Sequence, residues 1–183
     1  MSTTSLLPDP VATRPGVLVH SRRDRELAAA RWLILSAPRA EDARREWETF
    51  GAALLRCGRL FSAVPIAAGL VHAAAGTEDR EAVKAFLAEA LDGPVYYATV
   101  SHQYYALTPA SAPRTWRLTA VDCLDSDSYL GVPATDLTEP DPRYPAYWVV
   151  PMDGPGALCT PAAVERLVLA GQREAAKAAG EGR

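Results

Sequence analysis

Cysteine, lysine and long apolar runs are all scarce in this chain, and each shortage narrows what it can be. The three cysteines, Cys57, Cys123 and Cys159, stand far apart with no CxxC or CxxH pair. They are too few and too scattered for a disulfide framework or a locally spaced zinc site, and they fit free thiols in a reducing, cytoplasmic setting. Lysine occurs only at Lys84 and Lys177, against 17 arginines. With the abundant alanine, that bias suggests a GC-rich bacterial genome more than phosphate binding. The longest apolar stretch, Ala63 to Ala75, is interrupted by Pro65, Gly69 and His72, so no segment reads as membrane-spanning. Met1 to Pro8 has neither the basic nor the apolar region of a signal peptide. Also missing are GxxxxGK[ST], GxGxxG after a strand, HExxH and GxSxG. The common phosphate, dinucleotide, zinc-protease and serine-hydrolase devices therefore have no sequence signature here. No internal repeat of solenoid length is visible.

What remains is an ordinary globular composition: 183 residues, 49% hydrophobic, with a mean hydropathy of -0.06. A domain of this size buries roughly 70% of its unfolded surface and needs no metal or disulfide to hold it. The net charge of -3 is unevenly spread. Residues 1–59 hold 10 basic and 7 acidic groups, whereas residues 60–156 hold 5 and 12. A polyanion would thus favour the N-terminal part and be repelled by the middle.

The pattern along the chain predicts an α+β fold: a mainly antiparallel sheet of four to six strands against helices, with two N-terminal helices and one C-terminal helix. Residues 1–20, with Pro8, Pro10 and Pro15, read as a flexible arm, residues 21–171 as a single domain, and residues 172–183 as a frayed tail. Ser21 is placed to cap a first helix, to about Ser36, on whose apolar stripe Leu27, Ala30 and Ile34 lie. A second helix is expected from about Glu41 to Arg56, with Ala43, Trp47, Phe50 and Leu54 on one face. A strand follows over residues 59–66, then a short helix closed by Gly76. The next helix, over residues 78–91 with Thr77 as cap, buries Val83, Phe86, Leu87 and Leu91. From Val95 the period changes to two, giving strands at 95–100 and 103–108 around a Ser101-His102 turn. Further strands are expected at 115–119, 129–132 and 146–150, with a proline-rich loop at 133–145. Thr160-Pro161 then starts a helix that Gly171 should close.

Few side chains suggest chemistry. Asp122, Asp125 and Asp127 form the densest carboxylate cluster. On extended backbone Asp125 and Asp127 would share a side and could bind a hard divalent cation, and the same run also reads as a polar turn. His102, at a hairpin tip, is the histidine best placed to meet a ligand, whereas His72 reads as packing and His20 as solvated. Cys159 precedes a helix start, where the dipole could lower its pKa. Tyr96-Tyr97 and Tyr104-Tyr105 face each other across the hairpin. Outward rings among them could stack on bases, with Arg44 and Arg45 supplying charge, or could simply pack across the strands.

One family resemblance is carried by residues 57–151. The segments Cys57-Gly58-Arg59-Leu60-Phe61-Ser62-Ala63-Val64-Pro65, Asp92-Gly93-Pro94-Val95, Tyr104-Tyr105-Ala106-Leu107, Tyr129-Leu130-Gly131-Val132-Pro133 and Tyr147-Trp148-Val149-Val150-Pro151 resemble the N-terminal bifunctional DNA primase/polymerase domains of actinobacteria. That resemblance implies a metal- and nucleotide-binding set of Asp-x-Asp or Asp-x-Glu, then a small residue-x-His motif, then a further Asp. Here Asp125-Ser126-Asp127 follows His102 instead of preceding it, and Ser101 adjoins His102 directly. The implied relationship is to a degenerate member.

The expectation is therefore a non-catalytic binding or regulatory domain, with no cofactor, whose partner is a protein or a nucleic acid. The alternatives are a primase/polymerase-like nucleotidyl-transfer enzyme using Mg²⁺ or Mn²⁺ with His102, Asp125 and Asp127, and a protein–protein interaction domain with no nucleic-acid role.

Overall fold

A computed structural model describes residues 21–181; the expected arm at 1–20, His20 included, lies outside the described residues. Helix α1 (Arg22–Ile34) starts on the expected cap. Ser21 Oγ accepts the Asp24 N–H at 3.2 Å while the Asp24 carboxylate accepts the Ser21 N–H at 3.0 Å. This reciprocal pairing satisfies two donors that a helix start would leave free. Ala29, Leu33 and Ile34 are buried, whereas Leu27 of the predicted stripe is exposed.

Helix α2 (Ala40–Phe50) is shorter than its periodicity suggests. Gly51 adopts φ +70, and a side chain there would run into the Tyr144 ring, so the helix ends. Residues beyond it become strand β1 (Ala52–Arg56), where burial alternates with period two. Strand β2 (Phe61–Ala67) leads into α3 (Ala68–Ala75), closed by Gly76 at φ +68 as expected. Helix α4 (Arg80–Leu91) is capped by Asp79, whose carboxylate accepts the Ala82 N–H at 2.9 Å. Thr77 accepts the Asp79 N–H instead, one step outside the cap. In α4 Val83, Leu87 and Leu91 are fully buried and Phe86 only partly so.

Strands β3 (Val95–Ala98) and β4 (Gln103–Pro109) form the expected hairpin with the two tyrosine pairs facing each other, Tyr96 opposite Tyr105 and Tyr97 opposite Tyr104. The connection is four residues long, not two, and His102 closes it at φ +51. The strand expected at 115–119 is absent. A 3-10 turn (Ala112–Arg114) and irregular chain replace it, tied by the Trp116 indole donating to the Val121 carbonyl at 2.7 Å. Strands β5 (Tyr129–Pro133) and β6 (Ala146–Val150) follow. Helix α5 (Pro161–Glu181) passes straight through Gly171. Gly171 serves the packing there: its missing side chain lets α5 lie against the Leu70 carbonyl of α3. Residues 172–181, expected to fray, continue the helix.

All pairings are antiparallel. One sheet has the order β2-β4-β3-β6, and β1 pairs with β5 in a separate ribbon. Both faces of the larger sheet are covered. Phe61, Ala63, Tyr96, Leu107 and Trp148 point into a core shared with α1, α2 and the ribbon. Val64, Ile66, Val95, Tyr104 and Val149 point into a second core shared with α3, α4 and α5. Alternate residues of each strand thus enter different cores, and the fold is an α+β arrangement with the sheet in the middle. Among the described residues, no helix is long and apolar enough to cross a membrane.

Candidate functional site

The carboxylates and the histidine singled out in the sequence lie at opposite ends of the sheet. Leu124 bridges Ala63 of β2, and Ser126 abuts Gly58, which sets Asp125 beside the start of β2. His102 adjoins Gln103, the partner of Ala67 at the other end. Five strand residues separate the two places, roughly 16 Å at about 3.3 Å per residue, so they cannot ligate one ion. Asp125 closes its own turn, with Oδ1 accepting the Ser126 N–H at 2.5 Å and its carbonyl accepting the Ser128 N–H at 2.9 Å. Asp122 and Asp127 are exposed beside it. Among the described residues, no group of three or more His, Cys, Asp or Glu side chains could hold a metal.

His102 Nδ1 lies 3.0 Å from the Tyr97 hydroxyl, and its carbonyl accepts the Ala68 N–H that opens α3, at 3.0 Å. Behind it, Tyr97 and Tyr104 have ring centroids 4.7 Å apart, and the Tyr104 hydroxyl meets His72 Nε2 at 3.2 Å. Burial, with the phenols of Tyr147 and Tyr97 nearby, pushes the Tyr104 pKa up to about 12. Tyr104 is therefore inside the fold, with Tyr97 half-buried beside it. Tyr104 is buried, and Tyr105 stacks on Tyr96 at 4.9 Å and donates its hydroxyl to the Gln103 side chain. Burial thus removes the Tyr104 ring from base stacking, whereas half-buried Tyr105 has one face on Tyr96.

Arg44 and Arg45 are exposed on α2, on the side of the sheet away from Tyr104. Arg45 is paired with Asp42 at 3.1 Å. Residues 39–50 carry Arg39, Arg44 and Arg45 against Glu41, Asp42, Glu46 and Glu48, so this face has no basic excess for a phosphate backbone. Cys159 is also corrected as a nucleophile candidate. It is fully buried, donates to the Pro94 carbonyl at 3.5 Å, and burial pushes its pKa up to about 12. Desolvation outweighs the helix dipole here.

Three large apolar side chains are exposed elsewhere, and two of them, Phe50 and Leu54, belong to the expected apolar face of the second helix. Phe50 is 63%, Leu54 49% and Tyr129 47% solvent-accessible. Leu54 lies opposite Gly131, and Arg56 opposite Tyr129, on the outer face of the β1–β5 ribbon. Leu54 and Tyr129 are thus diagonal neighbours within side-chain reach. Glu46 joins this face to α2, since its carboxylate accepts the Leu54 N–H at 2.8 Å. Glu46 also lines, with Asp42, Arg45, Thr49 and Phe50, an open depression of about 370 Å³. A second cleft of about 240 Å³, beside the first turn of α1, is spanned by the Arg25–Asp153 ion pair at 3.1 Å.

Sequence reasoning assigned Phe50 and Leu54 to a buried helical face and did not single out Gly131. A glycine inside a strand pattern was the one local hint available. Comparison with protein-family models, with curated proteins and with solved structures gave no match to this chain.

Proposed function

We propose that the chain is a non-catalytic binding domain that recognises a protein partner through the joined surface of α2 and the outer face of the β1–β5 ribbon. The observation that carries this reading is the grouping of Phe50, Leu54 and Tyr129. Three large apolar side chains stand in water on adjacent elements, rimmed by Arg45, Glu46 and Arg56. Exposed apolar groups with a polar rim are the usual composition of a protein-binding patch. The dispersal of Asp125, Asp127 and His102 supports the non-catalytic half of the reading, as does the altered motif order relative to the primase/polymerase domains that the sequence resembles. The mixed charge of α2 and the burial of Tyr104 favour a protein over a nucleic acid.

Site-specific photocrosslinking in the source cells tests this. A benzophenone side chain at position 50 or 54 should trap one discrete partner, and the same probe at the exposed Val100 should not. Phe50→Asp with Leu54→Asp should abolish the trapped species while leaving the fold intact by circular dichroism. Equal trapping from position 100 counts against the proposed surface. Mn²⁺-dependent nucleotide binding lost in Asp125→Asn with Asp127→Asn would install the enzyme alternative instead. Salt-dependent binding of single-stranded DNA, weakened by Arg44→Ala with Arg45→Ala, would install the nucleic-acid one.

A further inference from the structure

Each of the two sheets has two edges, and on three of the four, named groups take up outward backbone positions. On β1, the outward N–H groups of Leu54 and Arg56 are taken by the Glu46 carboxylate at 2.8 Å and the Ser36 carbonyl at 3.0 Å. On β2, the carbonyls of Phe61 and Ala63 accept from Gly58 at 2.7 Å and Leu124 at 2.8 Å, and Pro65 has no N–H to offer. On β6, the Trp148 N–H donates to the Leu137 carbonyl at 2.7 Å. Closing edges in this way prevents pairing with other chains. On β5, Pro133 has no N–H and its carbonyl accepts from the Trp148 indole at 3.2 Å, so the open stretch is Tyr129 to Gly131.

The register shows which of its groups are free. Ala134 N–H donates to Gly51 and Cys57 N–H to Ser128, each at 2.9 Å. With the ladder anchored at both ends, Ala53–Val132 and Leu55–Leu130 are the hydrogen-bonded pairs. Tyr129 and Gly131 therefore direct their N–H and C=O groups away from β1, and none of the described residues hydrogen-bonds to them. Both residues are exposed, and nothing lies within 4 Å of where a Gly131 side chain would begin.

We infer that this edge pairs with the same edge of a second copy of the chain, antiparallel, with Tyr129 opposite the partner's Gly131 and Gly131 opposite the partner's Tyr129. The spacing is self-complementary. Two residues with outward backbone groups, two positions apart, exchange four N–H···O=C bonds about a twofold axis at Leu130. The result is a continuous ribbon β1-β5-β5-β1 with an isologous contact. The side chains match as well. On the outer face each tyrosine ring crosses the other copy's bare glycine, and beyond that glycine lies exposed Leu54. An aromatic ring over a cross-strand glycine covers backbone that the glycine leaves open. A heterologous peptide would find the same hydrogen bonds but no reason for the Tyr-x-Gly alternation. The inference goes beyond the partner-binding reading and does not require it. A strand pair this short buries less than a standard interface, so the association should be weak, with Kd on the order of 10 µM to 1 mM.

Sedimentation velocity on the full chain across about 1 µM to 1 mM should show a concentration-dependent dimer. Gly131→Pro removes an outward N–H that β1 does not use, so it should keep the urea midpoint and abolish the dimer. Register is tested by cysteine crosslinking: a mixture of Tyr129→Cys chains and Gly131→Cys chains should form a disulfide-linked pair on mild oxidation, and neither variant alone should. That readout also decides the matter if Gly131→Pro unfolds. A chain monomeric at all these concentrations, a dimer that survives Gly131→Pro while folded, or crosslinking of either cysteine variant with itself but not in the mixture overturns the inference. Photocrosslinking from position 50 reads the partner surface separately, whereas a species of twice the chain mass trapped from position 54 is the second copy, since Leu54 lies opposite Gly131.

Discussion

Cys57 and Cys159 illustrate how neighbours reset a residue's chemistry. Each is fully buried, and each thiol is raised from 9.0 to about 12, chiefly by burial. For Cys57 the nearby Cys123 and Asp125 add to the effect. A thiol that holds its proton is a poor nucleophile. Ellman's reagent at pH 8 should therefore leave Cys57 and Cys159 unmodified in the folded chain and react with all three cysteines in denaturant. The same shifts make stability depend on pH. Above about pH 9 the unfolded thiols release protons that the folded ones keep until about pH 12. The unfolded state then binds fewer protons, and stability falls as pH rises through that window. Tyr96 and Tyr104, both raised mainly by burial, act in the same direction above pH 10. The urea midpoint should be flat from pH 7 to 8.5 and decline towards pH 11, less steeply in Cys57→Ala. A midpoint that climbs over that range would contradict the burial of these groups.

At the scale of elements, glycines decide boundaries in two opposite ways. Gly51, in the left-handed region, ends α2 and turns what reads as a fourth helical turn into β1. Gly171 looks like the same kind of stop, yet α5 continues, because Gly171 is required for contact with α3 and not for a turn. A methyl there would meet the Leu70 carbonyl. Gly171→Ala should accordingly lower stability by about 1–3 kcal/mol, the usual cost of overpacking. Gly69→Ala, within α3 and with no atom within 4 Å of the added carbon, should raise it by up to about 1 kcal/mol through helix propensity. Chemical denaturation of the two variants separates a packing glycine from a neutral one. If both substitutions stabilise, the close approach of α3 and α5 is wrong.

Across the whole molecule the central sheet couples two cores. Tyr96 and Tyr97 are adjacent in sequence but belong to different cores, as do Ala63 and Val64, so neither core can open without disturbing the strands that serve the other. Unfolding should be a single transition. Tryptophan emission reports mainly on the core of Trp32, Trp47 and Trp148, while far-ultraviolet ellipticity also reports on α3, α4 and α5. Their urea midpoints should coincide. Separate midpoints would mean that the two faces fold independently.

Local rules in the sequence were sufficient for the α+β class, the Ser21 cap, the Gly76 stop, the facing tyrosine pairs of the hairpin and strand β6, because capping, period and turn chemistry act over a few residues. They failed at β1, at residues 115–119 and at the end of α5. At 115–119 the Trp116 indole bond to the nearby Val121 carbonyl curls the segment out of extended form, whereas at β1 and α5 the deciding partner is distant in the chain, Tyr144 against Gly51 and Leu70 beneath Gly171. The candidate surface was illegible for the same reason. Phe50 and Leu54 carry a helical spacing that predicts burial, and only the pairing of β1 with β5, some 75 residues away, places Leu54 outside and leaves Tyr129 and Gly131 on an open edge. Composition and short-range pattern determined what kinds of element this chain forms. Which side chains face water, and which backbone groups remain without a partner, was decided by contacts between segments far apart in sequence, since burial is a property of the assembled layers and not of any one strand.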